Sequence, residues 1–147
     1  MIDFKIVTPE RVAYKDQVDS ITIPTTEGEI TVLPNHIPLV SILAPGELVT
    51  RKGKEENYLA VAGGFLTVHS QSKVIILADS AERAEELSIE AIEQARDRAR
   101  RVMEDKRQVD EVAFADAAAS LERELARLKI ARKHRGGRTR ISTNQTE

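Results

Sequence analysis

The sequence predicts an α+β chain: an antiparallel β-sandwich or barrel in front and a two-helix antiparallel hairpin behind. Three observations carry this. Residues 1 to about 80 alternate apolar and polar side chains with period two. Turn residues cut that stretch at short intervals, at Pro9, Pro24, Gly28, Pro34, Pro45-Gly46, Gly53, Gly63-Gly64 and Gln71-Ser72. After Asp79, glycine and proline vanish until Gly136, and the strong helix formers Ala, Glu, Arg and Leu take over.

Ile2, Phe4 and Ile6 alternate with Asp3 and Lys5 to open the β module. Ile21 and Ile23 flank Thr22, and Ile30 and Val32 flank Thr31. Residues 27–48 read EGEITVLPNHIPLVSILAPGEL. Gly28 opens a strand, Pro34-Asn35-His36 breaks it, Pro38 restarts the chain, and Pro45-Gly46 turns it again. Proline fixes φ and glycine admits positive φ, so these turns hold a set geometry. The stretch carries no metal, phosphate or nucleophile chemistry and is expected to be a shaped docking surface. Leu59 and Val61, Leu66 and Val68, and the run from Val74 to Leu77 supply the remaining strands.

In the helical half, Ile89, Ile92, Ala95, Ala99 and Val102 or Met103 fall on one face, with Ser88 as N-cap. Acidic residues from Glu82 to Glu93 precede Arg96, Arg98, Arg100 and Arg101, an order that suits the helix macrodipole. Residues 106–111 lack apolar spacing and are expected to connect. Phe114, Ala117 or Ala118, Leu121, Leu125 and Leu128 form the stripe of a second helix, expected to end at Gly136-Gly137. The expected boundaries are 1–84 for the β module, 85–135 for the hairpin and 136–147 for a disordered tail. Two narrow stripes bury little area, so the hairpin is expected to dock elsewhere as well, or to alternate.

Composition excludes several classes. Net charge is -2, which argues against global attraction to nucleic acid or membrane. Cysteine is absent, which removes disulfides and thiolate zinc sites. Tryptophan is absent and aromatics make up 3%, too few for base-stacking platforms. No apolar run nears the roughly 20 residues that span a bilayer, and no signal-peptide core follows a basic start, so the chain is expected to begin in the cytosol. Gly63-Gly64 continues into Phe65-Leu66 rather than into a phosphate-loop pattern, and a β-bulge or turn is expected there. His36, His69 and His134 show no metal-ligand spacing, and no nucleophile–base set is present, so neither metal nor catalytic residue is expected.

Residues 27–48, followed by YLAVAGGFLTVHSQSKVIILADSAERAEEL at 58–87, closely resemble the epsilon subunits of bacterial and chloroplast F-type ATP synthases. The ordered pieces are E-G-x-x-x-V-L-P-x-H-x-P-L, A-P-G, A-V-x-G-G-F-L-x-V and L-A-D-x-A-E-R-A. They cover about residues 1–90, and the helical remainder agrees in type and length. The resemblance implies an antiparallel β-sandwich of about ten strands with a C-terminal two-helix hairpin. It implies a non-catalytic rotor subunit on the central stalk, bound to gamma and the c-ring and coupling proton-driven rotation to ATP synthesis. The hairpin, by the same resemblance, folds against the sandwich or extends along gamma to the catalytic alpha and beta subunits and inhibits hydrolysis.

The resemblance places Glu29 and His36 at the c-ring and gamma docking face, and Arg127, Arg132 and Lys133 against an acidic segment of beta. Some members bind ATP between the hairpin helices. Glu82, Arg98, Arg123 and Arg127 match contact positions, but Ser88 stands for an acid and Ala91 for an arginine, so ATP binding is expected to be weak or absent and no cofactor is expected. The implied location is the cytoplasmic face of a bacterial plasma membrane, through the complex alone, with the stromal face of a plastid thylakoid as the alternative. Two other classes compete. A nucleic-acid module draws on RKHRGGRTR at 132–140, against the aromatic poverty. A small hydrolase lacks a catalytic constellation.

Overall fold

The alternating half of the sequence forms eight strands: β1 (Ile2–Val7), β2 (Val12–Val18), β3 (Ser20–Thr25), β4 (Gly28–Val32), β5 (Leu39–Ile42), β6 (Gly46–Lys52), β7 (Glu55–His69) and β8 (Lys73–Arg83). A 3-10 turn at Ala84–Glu86 leads to α1 (Ile89–Glu104) and α2 (Glu111–Asn144). The computed structural model describes residues 1–105 and 111–144, with side chains to residue 134. The chain divides into two compact units, Met1–Arg83 and Ala84–Glu147.

The strands follow the order β2-β1-β8-β7-β6-β3-β4, with β5 also paired to β7. A strand has two edges, and β8 takes one of β7's. The other is shared: β6 pairs with Glu55 to Val61 and β5 with Phe65 to Val68. Inward-facing side chains change parity along β7. Leu59 and Val61 are buried in its first half, Leu66 and Val68 in its second. Between them Gly63 and Gly64 take φ of 68° and 100°, which breaks the alternation. Opposite, β8 buries Val74, Ile76 and Ala78 and then Ala81, the same reversal. The two long strands thereby serve both layers of a sandwich.

One core cluster joins Ile21, Ile23, Val32 and Leu48 of one layer to Phe4, Ile6, Leu66 and Ile76 of the other. Tyr14 Oη lies 3.2 Å from Thr50 Oγ1, and Lys52 Nζ 3.4 Å from Asp16 Oδ1. These contacts tie β2 to β6, strands far apart in the sheet order, and fold the sheet onto itself.

Three expectations differ from this architecture. Eight strands are described where about ten were expected, because β7 and β8, of 15 and 11 residues, each run through both layers as one strand. Gly63-Gly64 is neither a turn nor a bulge, since the ladder to β8 keeps one register through Ala62↔Ser80 and Gly64↔Ala78. The third is β1, which pairs with β8 in parallel, Asp3↔Lys73 to Val7↔Leu77. These are the module's first and last strands, and no hairpin turn constrains their direction.

In the second unit, Ser88 caps α1, its Oγ accepting from the Ala91 N–H at 3.4 Å. Ile92, Leu128 and Ala131 form its core cluster, flanked by Leu87 and Ile89. Phe114 and Leu125, expected in the buried stripe, are exposed. The buried line of α2 runs instead through Ala117, Glu124, Leu128 and Ala131, which rotates the stripe away from Phe114. The helix also passes Gly136-Gly137 and ends at Asn144, so residues 136–144 are helical and not a disordered tail. Two glycines within a helix cost about 1 kcal/mol each against alanine, which weakens the helix without ending it. Of the expected connection, residues 106–110 lie outside the described residues, as do residues 145–147 of the expected tail.

A Cβ at position 64 would stand 1.8 Å from the Leu77 carbonyl oxygen. Gly64→Ala is expected to destabilise the chain by at least about 2 kcal/mol, read as a lowered urea midpoint. An unchanged midpoint would show that β7 does not need its bend.

Candidate functional site

The strand register puts three rows of side chains on the outer face of the layer β5-β7-β8-β1-β2. The first row is Ile42, Phe65, Leu77, Val7 and Val12, each in register with the next. Four of these are exposed, Phe65 at 56%, while Val7 is half-buried. At the usual spacing of neighbouring strands the row is about 19 Å long. The second row is Val40, Thr67, Ile75, Lys5 and Lys15, and the third is His69, Lys73, Asp3 and Gln17. A contiguous apolar row at the surface marks a contact site. The sequence carries its signal in the paired apolar residues Leu39-Val40, Phe65-Leu66 and Ile76-Leu77, since neighbours in a strand face opposite sides. Sequence reasoning took these runs as strand signals, and Leu39-Val40 as part of a docking stretch, and did not find the row.

The expected docking loop follows β4. The His36 N–H donates to the Leu33 carbonyl at 3.2 Å, across Pro34 and Asn35. Asn35 has φ 65°, the sign a type II turn requires at its third position. The loop is pinned to the β7–β8 turn, where Ser72 Oγ accepts from the Asn35 N–H at 2.8 Å. His36 Nδ1 lies 2.7 Å from the Ile37 carbonyl oxygen, so that nitrogen carries the proton. Ile37 is 75% exposed and Leu33 57%. Glu29 is exposed on β4, the edge strand, in register with Pro24. The loop therefore presents two aliphatic side chains from a fixed backbone, with His36 in the turn and Glu29 on the strand before it.

Elsewhere on the module, Glu56 accepts from Arg51 Nε at 3.0 Å and from the Tyr58 hydroxyl. The bond to Glu56 is the main cause that raises the Tyr58 hydroxyl above the usual phenol range, with burial second. Tyr58 thus stays a protonated donor in an exposed polar network and is no nucleophile near neutral pH.

Within the helical unit, Glu124 is 2% exposed. Arg127 donates to its two oxygens at 3.3 and 3.0 Å, and Arg123 Nε to one at 3.3 Å. A buried carboxylate persists where cations and hydrogen bonds satisfy it, and both arginines come from its own helix. Glu124 was not singled out in the sequence because it occupies an apolar-stripe position. Beside it, a cavity of about 470 Å³ between α1 and α2 is lined by Arg98, Ala99, Arg123 and Glu124 among others. Of the four expected nucleotide contacts, Arg98 and Arg123 line this cavity, Arg127 is not among its lining residues, and Glu82 stands on β8 of the first unit.

Arg132 donates to Glu93 Oε1 at 3.1 Å and links the two helices. Of the three expected inhibitory cations, Arg132 and Lys133 are exposed, and Arg127 is mostly covered beside Glu124. Among the described residues no cluster of potential metal ligands occurs, and no helix is long and apolar enough to cross a membrane.

Known proteins match this chain closely. The family model of the ATP synthase delta/epsilon chain β-sandwich domain matches residues 1–84. An ATP synthase epsilon chain of Dehalococcoides mccartyi (strain CBDB1) is 46% identical over 130 residues, 88% of this chain and 91% of that protein. One of Chloroflexus aggregans is 42% identical over 134 residues, 91% of this chain and 94% of that protein. Among solved structures, a chain of the Euglena gracilis mitochondrial ATP synthase OSCP/F1/c-ring assembly aligns with TM-score 0.71 at 28% identity, covering 85% of this chain and 78% of that one. A chain of the Tetrahymena thermophila mitochondrial central stalk and c-ring aligns with TM-score 0.59 at 16% identity, over 88% and 96%, a likeness of fold alone.

Glu124 already occupies Arg123 and adds a negative charge to the cavity that a nucleotide phosphate would enter. Isothermal titration of ATP into the purified chain is expected to show no binding at micromolar nucleotide. A micromolar dissociation constant would overturn this.

Proposed function

The chain belongs to the family of ATP synthase epsilon chains, structural and non-catalytic subunits, and on that premise we propose that it joins the c-ring to the gamma shaft and brakes ATP hydrolysis with its helices. The observation that carries the first half is the apolar row Ile42, Phe65, Leu77, Val7 and Val12, a firm surface on a two-layer sandwich. We assign gamma to that row. The pinned loop with Leu33, His36 and Ile37, and Glu29 beside it, faces the c-ring. Rigid docking suits a part that carries torque, because a compliant joint would slip.

The helical unit is the brake. Its core cluster is small, so little burial opposes its rearrangement. Arg127, Arg132 and Lys133 meet acidic surface on the catalytic beta subunit, and alpha lies beside it. Arg132 has only an exposed ion pair to exchange, which is worth less than about 1 kcal/mol. Driving such an element from mostly one state to mostly the other takes about 5.5 kcal/mol of differential binding, which several charge pairs and a small apolar patch supply. The working location is the cytoplasmic face of a bacterial plasma membrane, reached through the complex.

Two experiments test this reading. A chain ending at Leu87 is expected to assemble and support ATP synthesis while the hydrolysis rate of the complex rises; failure of the truncated chain to assemble would sink the division of labour. Phe65→Glu places a charge in the middle of the apolar row and is expected to abolish co-purification with gamma. Retention of gamma by that variant would remove the row from the interface.

A further inference from the structure

We propose that Lys5, Lys15 and Lys73 form a basic flank to the docking row and receive carboxylates from the rim of the docked gamma subunit. The inference rests on the docking reading above and adds the chemistry of the partner's edge. Lys5 and Lys15 stand directly opposite each other across β1 and β2. Like charges at such a cross-strand position are destabilising unless an anion lies between them.

The chain's own acids answer that charge only in part, since four lysines, Lys5, Lys15, Lys52 and Lys73, share the groove with two aspartates, Asp3 and Asp16. Asp3, in register with Lys73, accepts from Gln17 Nε2 at 2.9 Å. Asp16 is engaged by Lys52 Nζ at 3.4 Å and by the Gln17 N–H at 2.8 Å. Lys5, Lys15 and Lys73 form no ion pair among the described residues. All three border an open groove of about 750 Å³, which has room for side chains of a partner. The chain as a whole carries -2, so this face is locally opposite in sign to the molecule.

Position makes the trio part of the docking face. Lys5 and Lys15 continue the row of Val40, Thr67 and Ile75, immediately beside the row of Phe65 and Leu77. A body that covers the apolar row ends over these lysines. Charges at the edge of an interface set the association rate and suppress wrong registers more than they add affinity. The apolar row supplies the hold, and the lysines supply the orientation.

The test measures binding of the full chain to purified gamma from the same organism, at about 0.05 and about 0.5 M salt. The triple variant Lys5→Gln, Lys15→Gln, Lys73→Gln is expected to lose roughly tenfold in affinity at low salt, mostly through slower association, with the difference collapsing at high salt. Lys15→Gln alone, at the exposed sheet edge, is expected to show a smaller loss of the same kind and serves if the triple variant does not fold. Normal binding by the lysine variants together with failure of Phe65→Glu would overturn the inference and leave the docking reading intact. Normal binding by Phe65→Glu as well would overturn both. Unchanged gamma binding with new self-association by sedimentation would make the lysines guards of an open strand edge. Unchanged gamma binding with lost affinity for phosphatidylglycerol vesicles would make them a lipid contact. Either result overturns the inference.

Discussion

The bend of β7 at Gly63-Gly64 is the constraint on which the β module depends. A strand with strict alternation keeps one face inward along its whole length. Two consecutive residues with positive φ reverse the inward set, and only then does one strand bury Leu59 and Val61 in one layer and Leu66 and Val68 in the other. The close approach of β8 blocks a Cβ on Gly64, which would meet the Leu77 backbone carbonyl, while one on Gly63 would have to displace the exposed Asp79 carboxylate and would hold a positive φ. The shared edge of β7, with β5 on one half and β6 on the other, follows from this bend. So does the outward turn of Phe65, the centre of the apolar row.

The two units solve different problems. The β module has a continuous core, a pinned loop and two outward surfaces held by backbone ladders. The helical unit has a small core and long charged helices, and its buried carboxylate is answered by arginines one and three residues away on the same helix. Because those partners travel with Glu124, the ion cluster survives any movement of α2 as a whole. The interhelical pair Arg132–Glu93 is exposed and readily exchanged. The proposed division of labour, a fixed adaptor joined to a brake, rests on this difference between the two units.

Much of this was legible in the residues. Period two, the turn spacing and the loss of glycine after Asp79 gave the class and the order of the two units, and Ser88 caps α1 as its position suggested. The ordered motifs gave the family. What escaped has physical causes. Periodicity reports which residues alternate but not where the phase reverses, so Gly63-Gly64 was taken for a break. Strand direction is not encoded between elements without a short connection, so the parallel β1–β8 pair was invisible. Apolar type alone does not separate a core from an outer contact surface, which hid Phe65 and Leu77 and misplaced Phe114 and Leu125 in the helical stripe. A glutamate in a stripe reads as an interruption until its arginines are seen, which hid Glu124.

The parallel pairing of β1 with β8 also governs when the module forms. Its partners lie about 70 residues apart, so β1 has β2 alone for company until the far end of the module has left the ribosome. Joining ends that distant adds an entropic penalty of about 2 kcal/mol over a short hairpin, and contacts of such long range slow the search for the native state. During synthesis the first strand is therefore a waiting half-partner, and the sandwich closes as a late, cooperative event in which its oldest and youngest strands meet.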